Sequence, residues 1–242
     1  MVDLARRSTQ GELMDVEPAD FAEIDATLRE LETINRLTLA YRPTLAWLDR
    51  MVRDGKLGSG APLSILDVAC GHGDMLRRIW RWAQARGVSV ELTGVDINPL
   101  VIRSAEAATP AAAPIRYLVR DVFELGDGDG DGGGFDVVVS SLFAHHLGDE
   151  DLARFVAWMD RRARRSWLVN DLHRHPIPYH FVRAWVRLAG FGRLVVHDAP
   201  VSVARAFTRD GWTGVLDRAG VDPARVEIRW FMPFRYRVAC LK

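Results

Sequence analysis

The sequence predicts a doubly wound α/β fold: a parallel sheet covered by helices on both faces and finished by a terminal antiparallel strand pair. Three observations predict it. Leu63 to Leu76, LSILDVACGHGDML, reads as an apolar strand ending near an acid, then a glycine turn, then a helix with an apolar stripe. ELTGVDIN and IRYLVRDVFEL repeat half of that pattern, strands closing on Asp96 and Asp121. FDVVVSSLF is a continuous apolar run, the signature of a strand buried on both faces of a parallel sheet.

Taken in order, residues 1–15 read as loosely ordered. From Pro18 to Asp54 apolar residues recur at three- and four-residue steps, which predicts helix, with Pro43 dividing it in two. This helical preface, residues 1–54, is expected to form a cap over the ligand crevice, and residues 55–242 the main domain. The first strand spans about Ser64–Ala69 and its helix about Gly73–Arg86. The second strand, about Glu91–Val95, leads to a helix opened by Pro99. A third strand, about Arg116–Val119, precedes GDGDGDGGG. Asp127, Asp129, Asp131 and Gly132 fit half of a calcium loop, but Val138 stands where the twelfth-position acid belongs, so a surface turn is expected. After the fourth strand, DEDLARFVAWMDRRA is an amphipathic helix with acids in its first turn, and SWLVNDL is the fifth strand. HPIPYHFVRAWVRLAG and Thr208–Ala219 are two further helices. RVEIRWFM and FRYRVACL form the closing pair.

The 242 residues suffice for one sizeable core. Formal net charge is zero, so no global field recruits nucleic acid or an anionic membrane. Lysine occurs only at Lys56 and Lys242, arginine supplying the other cations. Cys70 and Cys240 lie far apart in apolar runs, which favours free thiols in a reducing compartment. With no apolar leader and no stretch of 18 uncharged apolar residues, a cytoplasmic chain without a membrane span is expected.

Ligands of doubly wound sheets bind outside the carboxyl ends of the strands. The acids and glycines fall there, and Gly71 and Gly73 let backbone approach a ligand. A dinucleotide fingerprint needs a third glycine where Leu76 stands, and a phosphate-binding P-loop needs a lysine that is missing. A nucleoside without phosphates remains. Read singly, Asp67 also suits a strand-end cap and Asp96 an N-cap.

DVACGHG followed by Asp96 and Asp121 resembles the Rossmann-like S-adenosylmethionine-dependent methyltransferases, over about residues 63–170 and the terminal strand pair. The resemblance implies a seven-stranded sheet and S-adenosylmethionine as cofactor. It implies that Asp67, Ala69, Cys70, Gly71 and Gly73 run along the methionine and ribose. It places Asp96, with Ile97 beside it, on the ribose hydroxyls, Asp121 and Val122 at the adenine, and Ser140 and Ser141 at the methionyl end.

SSLFAHHLGDEDL resembles the segment after the fourth strand in the ubiquinone/menaquinone-like small-molecule group. VNDLHRHPIPY resembles a bacterial subgroup with a DLHRHP-type motif and an N-terminal ELMD segment like Glu12–Asp15. That implies a small, partly apolar acceptor, phenolic or polyketide-like, methylated on oxygen. His173 and His145 are candidate general bases, an imidazole titrating near neutrality. His146, Arg174, His175 and Tyr179 are candidate acceptor contacts. The competing reading of this turn is a set of bracing hydrogen bonds. No metal is expected: the alternating His173, His175 and Asp171 do not fix a ligand geometry, and serine replaces the Asp that catechol-type enzymes carry after the fourth strand. Rival functions are a nucleic-acid or protein methyltransferase, a non-catalytic cofactor-binding partner protein, and a nicotinamide oxidoreductase. No nucleic-acid partner is expected, and a monomer or homodimer fits the chain.

Overall fold

The computed structural model describes residues 2–57, 61–125 and 134–242. The calcium reading of Asp127, Asp129, Asp131 and Gly132 lies outside them. Seven strands build one sheet: β1 Leu63–Val68, β2 Val90–Asp96, β3 Ile115–Val119, β4 Phe135–Ser141, β5 Ala163–Leu172, β6 Val226–Phe231 and β7 Arg235–Leu241. Their order is β3-β2-β1-β4-β5-β7-β6. β1 to β5 run parallel, while β7 pairs antiparallel with both β5 and β6. The order reverses between β1 and β4, so a crevice opens at their carboxyl ends. This is the expected doubly wound, seven-stranded α/β sheet with its terminal antiparallel pair.

The helices are α1 Leu13–Val16, α2 Phe21–Leu37, α3 Arg42–Arg53, α4 Asp74–Arg86, α5 Pro99–Ala108, α6 Asp149–Arg162, α7 Pro176–Leu188, α8 Arg193–Arg205 and α9 Arg209–Arg218. Strand pleating divides the core into two layers. Val137 and Val139 of β4 face Trp47 and Met51 of α3 and Ile79 of α4. Val138, between them, faces Phe155 and Met159 of α6 and Trp212 of α9. Both faces of β4 are therefore covered, which is why its sequence does not alternate. Cys70 and Cys240 are buried free thiols in these layers.

Three sequence expectations need correction. The fifth strand is followed by three helices rather than two, because α8 was hidden. Its RLVVHDAPVSVAR carries β-branched residues and an internal Pro200, both poor helix signals. The break in the preface falls at Thr38–Tyr41, where Leu39 has φ 54°, while Pro43 sits inside the first turn of α3, where its missing N–H costs nothing. The N-terminal segment is irregular but packed rather than loose. Arg7 donates to the carbonyls of Arg205, His145 and Leu147, and its guanidinium lies 4.0 Å from the Phe207 ring centroid. Ser8 N–H donates to Ala204 O at 3.0 Å. No helix among the described residues is long and apolar enough to cross a membrane.

α2 packs on α5 and α8, and α7 packs on α8. Residues of α1, α2, α7 and α8 share one chamber with the segments that follow β1 and end β4 and β5.

Candidate active site

The glycine turn is held by its own backbone. Ala69, Gly71 and Gly73 have φ of 54°, 53° and 70°, a run of left-handed residues that reverses the chain between β1 and α4. Gly73 N–H donates to Cys70 O at 2.9 Å, and Cys70 N–H to Val95 O at 3.0 Å, locking the turn against β2. Asp96, at the end of β2, accepts from Gly71 N–H at 3.2 Å and Asn98 N–H at 3.1 Å. Its carboxyl is nonetheless pushed up, because burial outweighs these donors. Asp121 opens a short 3-10 turn, accepting from Phe123 N–H at 2.9 Å. Ala69, Gly71, Asp96, Ile97, Asp121 and Val122 line one cavity of about 500 Å³, together with Phe143 and His146.

A smaller space of about 30 Å³ lies under the turn, bounded by Asp67, Ala69, Cys70, Ser141 and Asn170. Asp67 Oδ1, Ser141 Oγ and Asn170 Oδ1 are buried there without partners. Burial, with Asp74 and Asp96 nearby, pushes the Asp67 carboxyl well above its usual range. The carbonyl oxygen of Asn170, the carboxyl oxygen of Asp67 and the Ser141 hydroxyl can all accept, so a polar group that donates, such as the ammonium of a bound amino acid, would satisfy them. Space is also left at Gly71, where an added Cβ would meet nothing within 4 Å.

A second cavity, of about 420 Å³, adjoins the first across Met14, Leu28, Leu31, Ala69, Gly71, Leu142 and His146, which line both. Its walls are largely apolar side chains of α2, α7 and α8, among them Ile34, Phe181, Trp185 and Val195. One wall is polar. Asp171, at the end of β5, accepts from His145 Nδ1 at 2.7 Å and from the N–H groups of His145 (2.9 Å) and Leu172 (2.7 Å). Burial opposes its ionisation, but the facing imidazole and these donors prevail and hold its carboxyl below the usual range. His145 itself is 3% exposed. His146 pairs through Nδ1 with Asp15 at 2.7 Å. Burial works against its charged form, and Asp15 and Glu12 overcome that and raise its pKa. Arg235, 3% exposed, donates to Thr38 Oγ1 at 2.9 Å, leaving Nε and Nη1 unpaired in the chamber wall. Burial lowers its pKa to about 10.

The remaining predicted residues fall elsewhere. Ser140 is fully buried and donates to Val68 O at 3.1 Å, bracing β4 on β1, so its neighbour Ser141 faces the small space. Gly73 caps α4 behind the turn, and Cys70 lines the chamber. His173 lines neither cavity; its Nδ1 accepts from Trp230 Nε1 at 3.3 Å and its ring meets Phe234, His175 and Tyr236. Burial, with His175 and Arg174 close by, lowers its pKa. Arg174 donates to the carbonyls of Leu4 and Ala206, and His175 caps α7 by accepting from Ile177 N–H. Tyr179 packs on Val203 and Ala204. These contacts follow the bracing reading of the DLHRHP turn. Sequence reasoning noted Glu12 and Asp15 in the ELMD segment and Asp171 before the DLHRHP turn but gave them no place in the site, because their partners His145 and His146 are remote in sequence.

Residues 65–166 match the family model described as a methyltransferase domain. No curated protein matches the sequence. Among solved structures, a magnesium protoporphyrin IX methyltransferase from Synechocystis with bound SAH is 17% identical, with a TM-score of 0.55 over 93% of this chain and 88% of that one. A plantazolicin methyltransferase in complex with a pentazolic desmethylPZN analog and SAH is 12% identical, with a TM-score of 0.64 over 92% and 98%. A putative O-methyltransferase from Nostoc punctiforme is 17% identical, with a TM-score of 0.52 over 76% and 53%. These likenesses are of fold.

Proposed function

We propose that this chain is an S-adenosylmethionine-dependent methyltransferase that methylates an oxygen of a small, partly apolar acceptor. The observation that carries the reading is the common cavity of Ala69, Gly71, Asp96 and Asp121, opening on an apolar chamber. The methyltransferase-domain match over residues 65–166 agrees with it. The unpaired acceptors beneath the turn and the open space at Gly71 fit the cofactor's methionyl end. Asp96 would take the ribose hydroxyls and Asp121 with Val122 the adenine edge. When bound, the cofactor supplies an electrophilic methyl group on a cationic sulfur.

The chain's own contribution is alignment first. Two held reactants can gain roughly 7–11 kcal/mol from proximity. Residues 1–54 act in this reading as a cap, excluding water through α2. Among the two candidate bases, His145 is the one we assign. It lines the chamber, and Asp171 fixes its Nδ1 so that Nε2 serves the acceptor hydroxyl. A base of this kind contributes on the order of 10²–10⁴-fold. Arg235 offers unpaired donors for a polar group on the acceptor.

The test is calorimetric titration with S-adenosylmethionine, S-adenosylhomocysteine and NAD. The expected result is micromolar binding of the first two and none of NAD. Asp96→Ala should weaken both by about 100-fold, two charge-assisted bonds at roughly 1.5 kcal/mol each. Binding of NAD alone, or unchanged affinity in Asp96→Ala, removes the assignment.

A further inference from the structure

We propose that Glu12, His145 and His146 form a binding site for one divalent transition-metal ion in the wall of the acceptor chamber. The three side chains bring their ligand atoms within 4.8 Å of one another. His145 Nε2 stands 3.6 Å from Glu12 Oε1, and His146 Nε2 stands 3.6 Å from Glu12 Oε2. That is too long for a hydrogen bond. It is close to the spacing of about 3.4 Å between neighbouring ligands around a tetrahedral ion with bonds of about 2.1 Å.

The tautomers are prepared for this. His145 Nδ1 is held by Asp171 and His146 Nδ1 by Asp15, each at 2.7 Å. A proton on each Nδ1 leaves both Nε2 lone pairs free, each 3.6 Å from an oxygen of the same Glu12 carboxylate. Carboxylates behind ligating imidazoles are the usual outer support of metal sites. Glu12 is oriented in turn by Ser202 Oγ, which donates to its Oε1 at 2.9 Å. Glu12 is only 6% exposed, and among the described residues its ion-pair partners are the two imidazoles. The nearby cations Arg7 and Arg205 are turned to the carbonyls of His145, His146 and Leu147. Two imidazoles and one carboxylate leave coordination positions free, and all three residues line the chamber.

The inference deepens the methyltransferase reading and rests on it for its purpose. An acceptor hydroxyl coordinated to the ion would have its pKa lowered. Its O–H bond would break with the electron pair kept by oxygen and the proton released to solvent. In the metal-free protein Nε2 of His145 keeps the role of base assigned above; with an ion on Nε2 the proton would go to solvent.

The test is calorimetric titration of EDTA-treated, dialysed protein with zinc chloride alone, with S-adenosylmethionine affinity measured on the same samples. The proposal expects one zinc per chain at micromolar affinity or better. Glu12→Gln and His146→Ala should each weaken zinc binding by more than roughly 100-fold, and Asp15→Asn by roughly 10–100-fold. His180→Ala, an exposed histidine outside the cluster, should bind zinc as the parent does. A parent-like far-UV circular dichroism spectrum and cooperative melt show that each variant is folded. No saturable zinc binding in the parent, or equal binding by folded Glu12→Gln, overturns the metal site. Zinc binding without S-adenosylmethionine binding leaves the site standing and removes the functional reading instead.

Discussion

Gly71 and Gly73 share a turn and a left-handed backbone, yet they meet different surroundings. A Cβ on Gly73 would lie 2.1 Å from the Tyr117 hydroxyl, which is itself hydrogen-bonded with Thr109 at 2.9 Å. A Cβ on Gly71 would project into open space. Both alanine variants bear the left-handed cost, about 1–2 kcal/mol. Gly73→Ala adds overpacking of about 1–3 kcal/mol. Gly73→Ala should therefore lower the urea midpoint clearly more than Gly71→Ala. Gly71→Ala should instead lose S-adenosylmethionine affinity, because its methyl takes ligand space. Equal stability losses, or full cofactor affinity in Gly71→Ala, would break this division. At this scale, legibility followed sequence distance. The meeting of Asp96 and Asp121 in one cavity was legible because Asp96 ends β2 and Asp121 opens the turn just after β3, both beside the glycine turn. The Glu12–His145 and Asp171–His145 contacts join distant segments, and no local spacing announces them. His173 and His175 lie outside both cavities, since titratable residues on a strand-to-helix turn also serve as caps and braces.

The elements with clean periodicity were legible and those whose form depends on neighbours were not. α4, α5 and α6 carry apolar stripes and terminal signals that stand without tertiary help. α8 and the N-terminal segment hold each other. Asp198 of α8 accepts from the N–H groups of Leu13 (2.7 Å) and Met14 (3.0 Å), doing from outside what an N-cap does from within. α1 is four residues long and cannot persist alone. Asp198→Ala should then release residues 2–17 as a unit, at a local cost of about 1–2 kcal/mol. Limited proteolysis should cut there earlier than in the parent, while the global melting temperature moves little. Parent-like protection in the variant would mean that Arg7 and Ser8 suffice to anchor the segment.

Across the molecule, the carboxyls divide into two groups that oppose each other in pH dependence. Glu32 ties α2 to the glycine turn, pairing with His72 at 2.8 Å and Arg77 at 2.6 Å. The His72 hydrogen bond, with Arg77, holds its carboxyl down to about 2 against the penalty of burial. Its folded pKa lies below the unfolded value, so its contribution is full above about 4.5 and is lost as pH falls towards about 2. Asp67 and Asp96 are shifted the other way, chiefly by burial. A raised carboxyl contributes below its unfolded pKa, and the contribution disappears as pH rises through the folded value. At neutral pH these two therefore weaken the protein without ligand. Glu32→Ala strands the buried Arg77. It should cost about 2–3 kcal/mol at pH 7, less than the roughly 3–5 kcal/mol of a wholly buried pair because Glu32 keeps contact with water. Its acid-unfolding limb between pH 4.5 and 2 should be shallower than the parent's. Asp67→Asn should raise the neutral-pH melting temperature of the ligand-free protein while reducing S-adenosylmethionine affinity. Thermal melts from pH 2 to pH 8, with and without the cofactor, measure both. If Asp67→Asn melts lower than the parent at pH 7 without ligand, Asp67 is a structural support of the turn, and the opposition between cofactor groups and cap groups does not hold.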